Sequence, residues 1–318
     1  MNYVFGPVLS RRLGRSLGID PIPLKTCNWN CIYCQLGRTR PLTNTRREYV
    51  PSEEILSEVQ QALTQHKAGE IDWITFVGSG EPTLHSNLGW LIEQVKKVSN
   101  LPVAVITNGA LLYLPELRAE LATADAILPS LDAGNPDLYR KINRPWPKLN
   151  YNDIVDGMIA LRQEYDGKLW VEVMLLRGLN DKEPELREIA AILKRIQPDQ
   201  VHLILPVRPP AETWVFPSDE NGVQRAQTII GEVAYVVQPH LSQVSTYSTG
   251  DLGSAILGII TRHPMEEQEL CATLGHWSSH EVQQALKKLQ TAGLAQQVLR
   301  LDKHFWSAAS AFYPNNES

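Results

Sequence analysis

Three cysteines fall within eight residues of this sequence and form its clearest candidate metal site. Cys27, Cys31 and Cys34 follow the spacing Cys-x₃-Cys-x₂-Cys, and the aromatic residue Tyr33 precedes the last of them. Thiolates are the usual ligands of iron–sulfur clusters, and close spacing lets one loop wrap such a cluster. Three thiolates for four irons leave one iron open. The spacing therefore predicts a [4Fe–4S] cluster that can bind a small molecule.

A zinc site is the alternative for the same cysteines. Zinc sites more often show two Cys pairs, or a Cys pair with a His pair, and no histidine lies between Gly37 and Arg47 to close this loop. We interpret the fourth cysteine, Cys271, as a small buried apolar residue rather than a ligand. A reducing compartment and a metal site fit this pattern better than a disulfide framework.

Polar residues follow three predicted strands. They are Gly78-Ser79-Gly80-Glu81, then Thr107-Asn108-Gly109, then Ser130-Leu131-Asp132. Glycines permit close approach of a ligand to the backbone, and the Glu81 carboxylate can accept a charge-assisted hydrogen bond from a ligand ammonium. Ordinary turn chemistry is the alternative for each of these segments.

The elements that position these residues alternate between strand and helix. Strands are predicted at 73–77, 103–107, 126–131, 170–176 and 201–205, besides one before Cys27. Helices are predicted from Ser52 and at 88–95, 114–122, 154–165, 183–196 and 220–231. Repeated strand–helix units predict an α/β domain over residues 1–250, with a parallel sheet that is open or closed into a barrel. Chemistry in such folds sits at the carboxyl ends of strands.

After residue 250 the pattern changes to short helices and a hairpin. Helices are predicted at 255–262 and 266–274, and a third begins at Ser278 with Glu281 as its capping-box partner. Residues 295–301 and 304–307 predict a hairpin. This α+β pattern resembles a winged-helix domain, which we place at 251–313. We expect the polar tail 314–318 to be disordered.

The cysteine spacing, between a strand and the helix at Ser52, resembles the signature of the radical S-adenosylmethionine (radical SAM) superfamily. The resemblance implies a partial (β/α)6 barrel of parallel strands. It also implies that the open iron binds the amino and carboxylate groups of S-adenosylmethionine. One electron, from a donor such as flavodoxin or ferredoxin, then yields a 5′-deoxyadenosyl radical that abstracts hydrogen from a substrate.

The resemblance also gives roles to the residues at the strand ends. Gly78, Ser79, Gly80 and Glu81 match a Gly-Gly-Glu-like motif that binds the methionine amino group, with Ser79 as a departure. Thr107, Asn108, Ser130 and Asp132 match positions that hold the ribose and carboxylate of S-adenosylmethionine, and Tyr33 would lie near the adenine. These nine residues and the three cysteines are the predicted site.

The N-terminal segment resembles an uncharacterised branch near the tRNA wyosine-forming radical enzymes. The similar segments are Phe5-Gly6-Pro7, Ser10-Arg11-Arg12-Leu13-Gly14, Ser16-Leu17-Gly18-Ile19-Asp20, Lys25-Thr26-Cys27, residues 78–82 and residues 208–212. The wyosine enzymes carry a second, N-terminal cysteine set, whereas this chain has no cysteine before Cys27. The resemblance therefore supports the fold more than the substrate.

Charge distribution bears on the substrate. Residues 1–48 hold eight basic residues against Asp20 and Glu48, which favours a phosphate-bearing substrate such as RNA, with exposed loop arginines as the alternative. They are Arg11, Arg12, Arg15, Lys25, Arg38, Arg40, Arg46 and Arg47. Residues 251–318 hold five basic against seven acidic residues, which favours docking of a peptide, protein or partner domain. Candidate substrate contacts are Lys25, Glu172, Asn180 and Arg208.

Three function classes follow: a radical enzyme acting on RNA, one acting on a peptide or protein, and a non-enzymatic iron–sulfur or zinc regulatory protein. The chain has 318 residues, 43% of them apolar, and a net charge of −5, which argues against a uniformly basic nucleic-acid binder. Residues 1–14 lack the apolar run of a signal peptide, and no stretch approaches a membrane span of about 20 apolar residues. We therefore expect a soluble, cytoplasmic enzyme.

Overall fold

The computed structural model describes residues 3–10, 12–237, 251–275 and 277–314. Its main sheet has eight strands in chain order, which is the arrangement of an open, partial barrel. The strands are β1 (Val4–Ser10), β2 (Gly14–Ile19), β3 (Trp73–Phe76), β4 (Val103–Thr107), β5 (Ala126–Pro129), β6 (Lys168–Met174), β7 (Gln200–Ile204) and β8 (Ala234–Val236). β1 is antiparallel to β2, and the later neighbours are parallel. The predicted α/β class and parallel sheet are confirmed.

Helices connect the parallel strands. They are α1 (Ser52–Gln65), α2 (Leu88–Val98), α3 (Pro115–Leu121), α4 (Pro136–Asn143), α5 (Tyr151–Glu164), α6 (Glu183–Ile196) and α7 (Glu220–Ile230). Strands and helices share one hydrophobic core, with fully buried members such as Ile74, Leu91 and Val173. β6 is buried along most of its length, as expected for a strand covered on both faces.

The structure adds elements that the sequence did not predict, among them β1, β8 and α4. β1 forms an antiparallel hairpin with β2, and the short β8 extends the sheet beyond the six expected strands. α4 lies between β5 and α5; Asn135 caps it by accepting from the Leu138 N–H, and Pro136 occupies its first turn. The helix was missed because its apolar residues, Leu138, Tyr139 and Ile142, span little more than one turn.

The C-terminal part has its own hydrophobic core. Its elements are α8 (Leu252–Arg262), β9 (Met265–Glu266), α9 (Glu267–Thr273), α10 (Ser279–Thr291), β10 (Ala295–Arg300) and β11 (Lys303–Ala308), and the strands form an antiparallel sheet in the order β10-β11-β9. The predicted capping box between Ser278 and Glu281 is present. The winged-helix comparison and the domain division at residue 250 stay predictions. Residues 238–250 lie outside the described residues, and so does the predicted tail from 315 onward.

In the part of the chain that the structure describes, no helix is both long and apolar enough to cross a membrane.

Candidate functional site

The three clustered cysteines lie on the long connection between β2 and α1. Within it, the Cys34 N–H donates to the Cys31 carbonyl at 3.1 Å, which forms a tight turn. The last turn of α4 and the residues after it form backbone hydrogen bonds with this loop. The Ile32 N–H donates to the Ile142 carbonyl at 2.9 Å, and the Trp146 N–H donates to the Asn28 carbonyl at 2.7 Å. Backbone hydrogen bonds thus hold the cysteine loop against the barrel.

Each cysteine sulfur has a side-chain nitrogen within hydrogen-bonding reach. Lys25 Nζ lies 3.1 Å from Cys34 Sγ. Asn108 Nδ2 lies 3.7 Å from Cys27 Sγ, and Asn143 Nδ2 lies 3.7 Å from Cys31 Sγ. N–H donors to the sulfurs stabilise thiolates and tune a cluster's reduction potential. Lys25, which the sequence suggested as a candidate substrate contact, lies beside Cys34. The contact of Asn143 with Cys31 was not predicted from the sequence.

The electrostatics of the thiols show that they share one small region. Burial, followed by the charge of Glu81, raises the pKa of Cys27 to about 12. Burial, followed by the charges of Cys27 and Cys34, raises the pKa of Cys31. The free thiols of Cys27 and Cys31 therefore stay protonated at neutral pH, and metal binding would release their protons.

The donor set fits a cluster. Within the described residues, no three His, Cys, Asp or Glu side chains are arranged as ligands of a single metal ion. A [4Fe–4S] cluster has a different requirement, because each thiolate binds a different iron. Three thiols on one loop supply one thiolate for each of three irons. Each sulfur also has its own N–H donor.

Glu81 joins the ends of β3 and β4. Its side chain is 2% exposed. Oε1 accepts from Thr107 Oγ1 at 2.5 Å and from Thr83, while Oε2 accepts from the Asn108 N–H at 2.7 Å. Burial raises the pKa of Glu81, and these hydrogen bonds oppose the rise. Glu81 thereby fixes Asn108, whose amide reaches Cys27.

The glycine turn before Glu81 packs against the residues that lead into the cysteine loop. The Lys25 N–H donates to the Ser79 carbonyl at 2.6 Å, and the Glu81 N–H donates to the Thr26 carbonyl at 2.9 Å. A Cβ on Gly80 would lie 2.0 Å from the Thr26 carbonyl oxygen, so only glycine fits there. The turn and the cysteine loop are therefore one packed unit.

Asp132 makes a second polar junction, after β5. Its Oδ2 accepts from the Tyr33 hydroxyl at 2.5 Å and from Asn143 Nδ2 at 2.7 Å, and its Oδ1 accepts from the Met174 N–H at 2.9 Å. Burial raises the pKa of Asp132, and the same hydrogen bonds oppose the rise. Asn180 is fully buried and donates to the Asp132 and Met174 carbonyls, both at 2.8 Å. Asn180 thus positions Asp132, and its predicted substrate role has no exposed surface to act through.

A cavity of about 390 Å³ lies beside the cysteine loop. Predicted residues in its wall are Tyr33, Cys34, Gly78, Glu172 and Arg208. Further wall residues come from the N-terminal hairpin, such as Phe5, and from the C-terminal part, namely His263 and Met265. Ser130 pairs with Glu172 through a β-bridge. The structure therefore brings these five predicted residues to one cavity, and Ser130 is joined to its wall through Glu172. The other predicted residues, such as Glu81, Asn108 and Asp132, lie outside this wall and make the two polar junctions after β3 and β5.

Charged residues near the cavity are paired. Glu172 forms an ion pair with Arg12, and Arg208 lies 3.5 Å from Glu269 of α9. Other basic residues of the N-terminal segment also have acidic partners: Arg15 pairs with Asp72, Arg38 with Glu212 and Arg46 with Glu120. The segment is therefore less available to phosphates than its composition suggests.

Comparison with known proteins identifies relatives over most of the chain. A family model described as "Radical SAM superfamily" matches residues 22–190. A UPF0026 protein of Methanocaldococcus jannaschii is 34% identical over 274 residues, which cover 84% of each chain. A UPF0026 protein of Synechocystis sp. is 42% identical over 207 residues, 65% of this chain and 76% of that protein. A protein named GTPase Obg, from Brachyspira hyodysenteriae, is 38% identical over 91% of this chain, but the chain spans only 43% of that protein.

Solved structures share the fold at low identity. A radical SAM methyltransferase from Sphaerobacter thermophilus superposes with a TM-score of 0.55 and 18% identity, covering 70% of this chain and 66% of that one. A structure of TYW1 with a lysine-pyruvate adduct gives a TM-score of 0.51 and 20% identity, with 68% and 72% covered. At these identities the similarity concerns the fold alone.

Proposed function

This chain belongs to the radical SAM superfamily, and from that premise we propose that Cys27, Cys31 and Cys34 hold a [4Fe–4S] cluster beside bound S-adenosylmethionine. It is an enzyme of that class, which sets aside the regulatory alternative. A reduced cluster bound there would supply the one electron that cleaves S-adenosylmethionine to methionine and a 5′-deoxyadenosyl radical, and this radical would abstract hydrogen from the substrate.

One observation carries the proposal. Three thiols of one loop each have an N–H donor on the sulfur, and one of them, Cys34, lines a cavity of about 390 Å³. The donors stabilise thiolates, while the cavity beside Cys34 offers room for a small molecule at an iron without a protein ligand.

The surrounding residues position the cosubstrate. The turn of Gly78, Ser79 and Gly80 presents backbone groups to the methionine part, and Glu81 and Thr107 hold Asn108 in place. Asp132 orients the Tyr33 hydroxyl, so the ring stays at the cavity wall for contact with the adenine. In this proposal these residues bind and orient the cosubstrate at the cavity wall.

We propose RNA as the first substrate class to test and a peptide or protein as the second. The basic N-terminal segment supports RNA, although its described arginines are largely paired. The position of His263 and Met265 in the cavity wall supports a role for the C-terminal part in choosing the substrate. A one-electron donor such as flavodoxin or ferredoxin completes the scheme, and the need for reduced thiols supports a cytoplasmic location.

Anaerobic reconstitution followed by iron and sulfide analysis tests the cluster site. We expect about four irons per chain for the wild type and loss of the cluster in Cys27→Ala, Cys31→Ala and Cys34→Ala. Cys271→Ala is the matched control and should load normally. If Cys271→Ala also lost the cluster, or if the wild type took up one zinc and no sulfide, the proposal would fail.

A further inference from the structure

The last residue of α8 is a buried arginine that reaches the main sheet. Arg262 is 6% exposed, and its Nε donates to Asp20 Oδ2 at 2.9 Å; Asp20 is 3% exposed. The guanidinium also lies over the Phe5 ring, 4.7 Å from its centroid. The C-terminal part thus places a positive charge inside the barrel domain.

Asp20 carries this contact to the glycine turn. It follows β2 directly, and its Oδ1 accepts from the Ser79 N–H at 3.1 Å while its Oδ2 accepts from Ser79 Oγ at 2.7 Å. One oxygen therefore serves both Arg262 and Ser79. A Cβ on Gly78 would lie 2.0 Å from Asp20 Oδ1, so the carboxylate packs directly on the turn.

Energetics argue for a positioning role. Burying an ion pair costs desolvation, and such pairs are weak evidence for stability. Removing one partner is a different matter, because it leaves an uncompensated buried charge that must move toward water or gain a proton. Without Arg262, Asp20 would lose the cation of this ion pair, and Ser79 would lose a fixed acceptor.

We propose that Arg262 of the C-terminal part is a positioning residue for S-adenosylmethionine binding, acting through Asp20 on the Gly78-Ser79-Gly80 turn. The inference rests on the proposed function, because it takes that turn as the binding site of the methionine part. It gives the C-terminal part a task inside the catalytic domain besides any contact with substrate.

Matched substitutions separate charge from shape. Arg262→Met keeps most of the volume and removes the charge, whereas Arg262→Lys keeps the charge. Arg300→Met is the control: Arg300 is also buried at 7% exposure and also bridges the two parts, donating to the Thr213 and Val215 carbonyls, but it does not contact Asp20. Should Arg262→Met not fold, Arg262→Gln replaces it, since its amide can still donate without a charge.

Two measurements are made on each variant. Hydrogen exchange of the Ser79 amide reports the turn in the protein without cosubstrate, and equilibrium dialysis of the cluster-loaded protein gives the Kd for S-adenosylmethionine. We expect Arg262→Met to accelerate Ser79 exchange and to raise the Kd about tenfold, the effect of losing one charge-assisted hydrogen bond. Arg262→Lys should recover part of both, and Arg300→Met should change neither.

Unchanged Ser79 exchange and Kd in Arg262→Met would overturn the inference. Equal effects of Arg262→Met and Arg300→Met would also overturn it, since general loosening of the two parts would then be the cause. Failure of the wild-type, cluster-loaded protein to bind S-adenosylmethionine would instead contradict the proposed function.

Discussion

Glu81 has a different setting from the one its motif suggests. The sequence predicts a carboxylate aimed at a ligand ammonium, whereas the structure surrounds it with donors from Thr83, Thr107 and Asn108. A buried carboxylate that accepts several hydrogen bonds is fixed in place. Its main contribution is therefore to hold Asn108, which in turn reaches Cys27.

Replacing Glu81 by Gln tests this arrangement. Both carboxylate oxygens of Glu81 accept hydrogen bonds, whereas a glutamine amide has one accepting oxygen and one donating NH₂ group. In the variant the NH₂ group would therefore face either the Asn108 N–H or the threonine hydroxyls, which are donors themselves. Because an unpaired buried donor costs about 1–3 kcal/mol, we expect lower thermal stability and a Kd for S-adenosylmethionine raised about tenfold, with the cluster retained. Equilibrium dialysis of the cluster-loaded variant measures the Kd.

Glu164→Gln is the control for this experiment, since Glu164 is bonded to Arg118 at the protein surface and has no contact with Asn108. It should leave the Kd unchanged. An unchanged Kd in Glu81→Gln as well would remove Glu81 from the site.

Spacing in the chain predicted the cluster ligands but not the residues that contact them. Cys27, Cys31 and Cys34 share one local loop, so their relation is visible in the sequence. Asn143 is distant in sequence and ends α4, a helix that the sequence did not predict, and Lys25 gives no sign in the sequence that it turns toward Cys34. Contacts of this kind depend on tertiary packing and are not encoded in a short motif.

At the scale of elements, a buried carboxylate ties the cysteine loop to its neighbours. Glu212, in the connection between β7 and α7, accepts from Arg38 Nη2 at 2.7 Å and also pairs with Arg144, the residue after α4. Burial works against the charged form, but the two arginines together lower the pKa of Glu212 below its ordinary value of 4.5. The Glu212 carboxylate thus links three connections, namely β2 to α1, α4 to α5, and β7 to α7.

Glu212→Gln should loosen this junction in a pH-dependent way. A carboxyl with a lowered folded-state pKa contributes stability above its unfolded pKa and loses it as the pH falls through the folded value. We expect the free energy of unfolding at pH 7 to drop by about 2 kcal/mol, and the difference from wild type to shrink below about pH 4.5. Urea unfolding at several pH values measures it.

Glu183→Gln is the matched control, because Glu183 pairs with Arg187 at the exposed surface of α6, where such pairs contribute about 0.3–0.5 kcal/mol. A loss in Glu212→Gln no larger than this, or one that grows toward acid, would contradict the role given to Glu212.

Periodicity predicted long elements better than short ones. α6 matches its predicted range of 183–196, because its apolar face repeats over four turns. The strand predicted to reach Leu131 ends at Pro129, and a single bridge from Ser130 to Glu172 continues it. β8 has three residues and no fully buried one, so no sequence pattern marks it.

At the scale of the molecule, residues of the main sheet and of the C-terminal part supply the walls of one cavity. The change of sequence pattern after residue 250 indicated the short helices and the hairpin of the C-terminal part. Composition could not show that His263 and Met265 of that set line the same cavity as Cys34, because this depends on how the two parts pack. Arg262 and Asp20 form one of the buried contacts between them.

Cleavage of S-adenosylmethionine by the reduced protein tests the central claim most directly. The reconstituted, dithionite-reduced protein is incubated anaerobically with S-adenosylmethionine, and the products are separated by chromatography. We predict methionine and 5′-deoxyadenosine in equal amounts, formed slowly without substrate, and neither product from Cys34→Ala. A wild-type protein with its full iron and sulfide content that yields neither product would contradict the account.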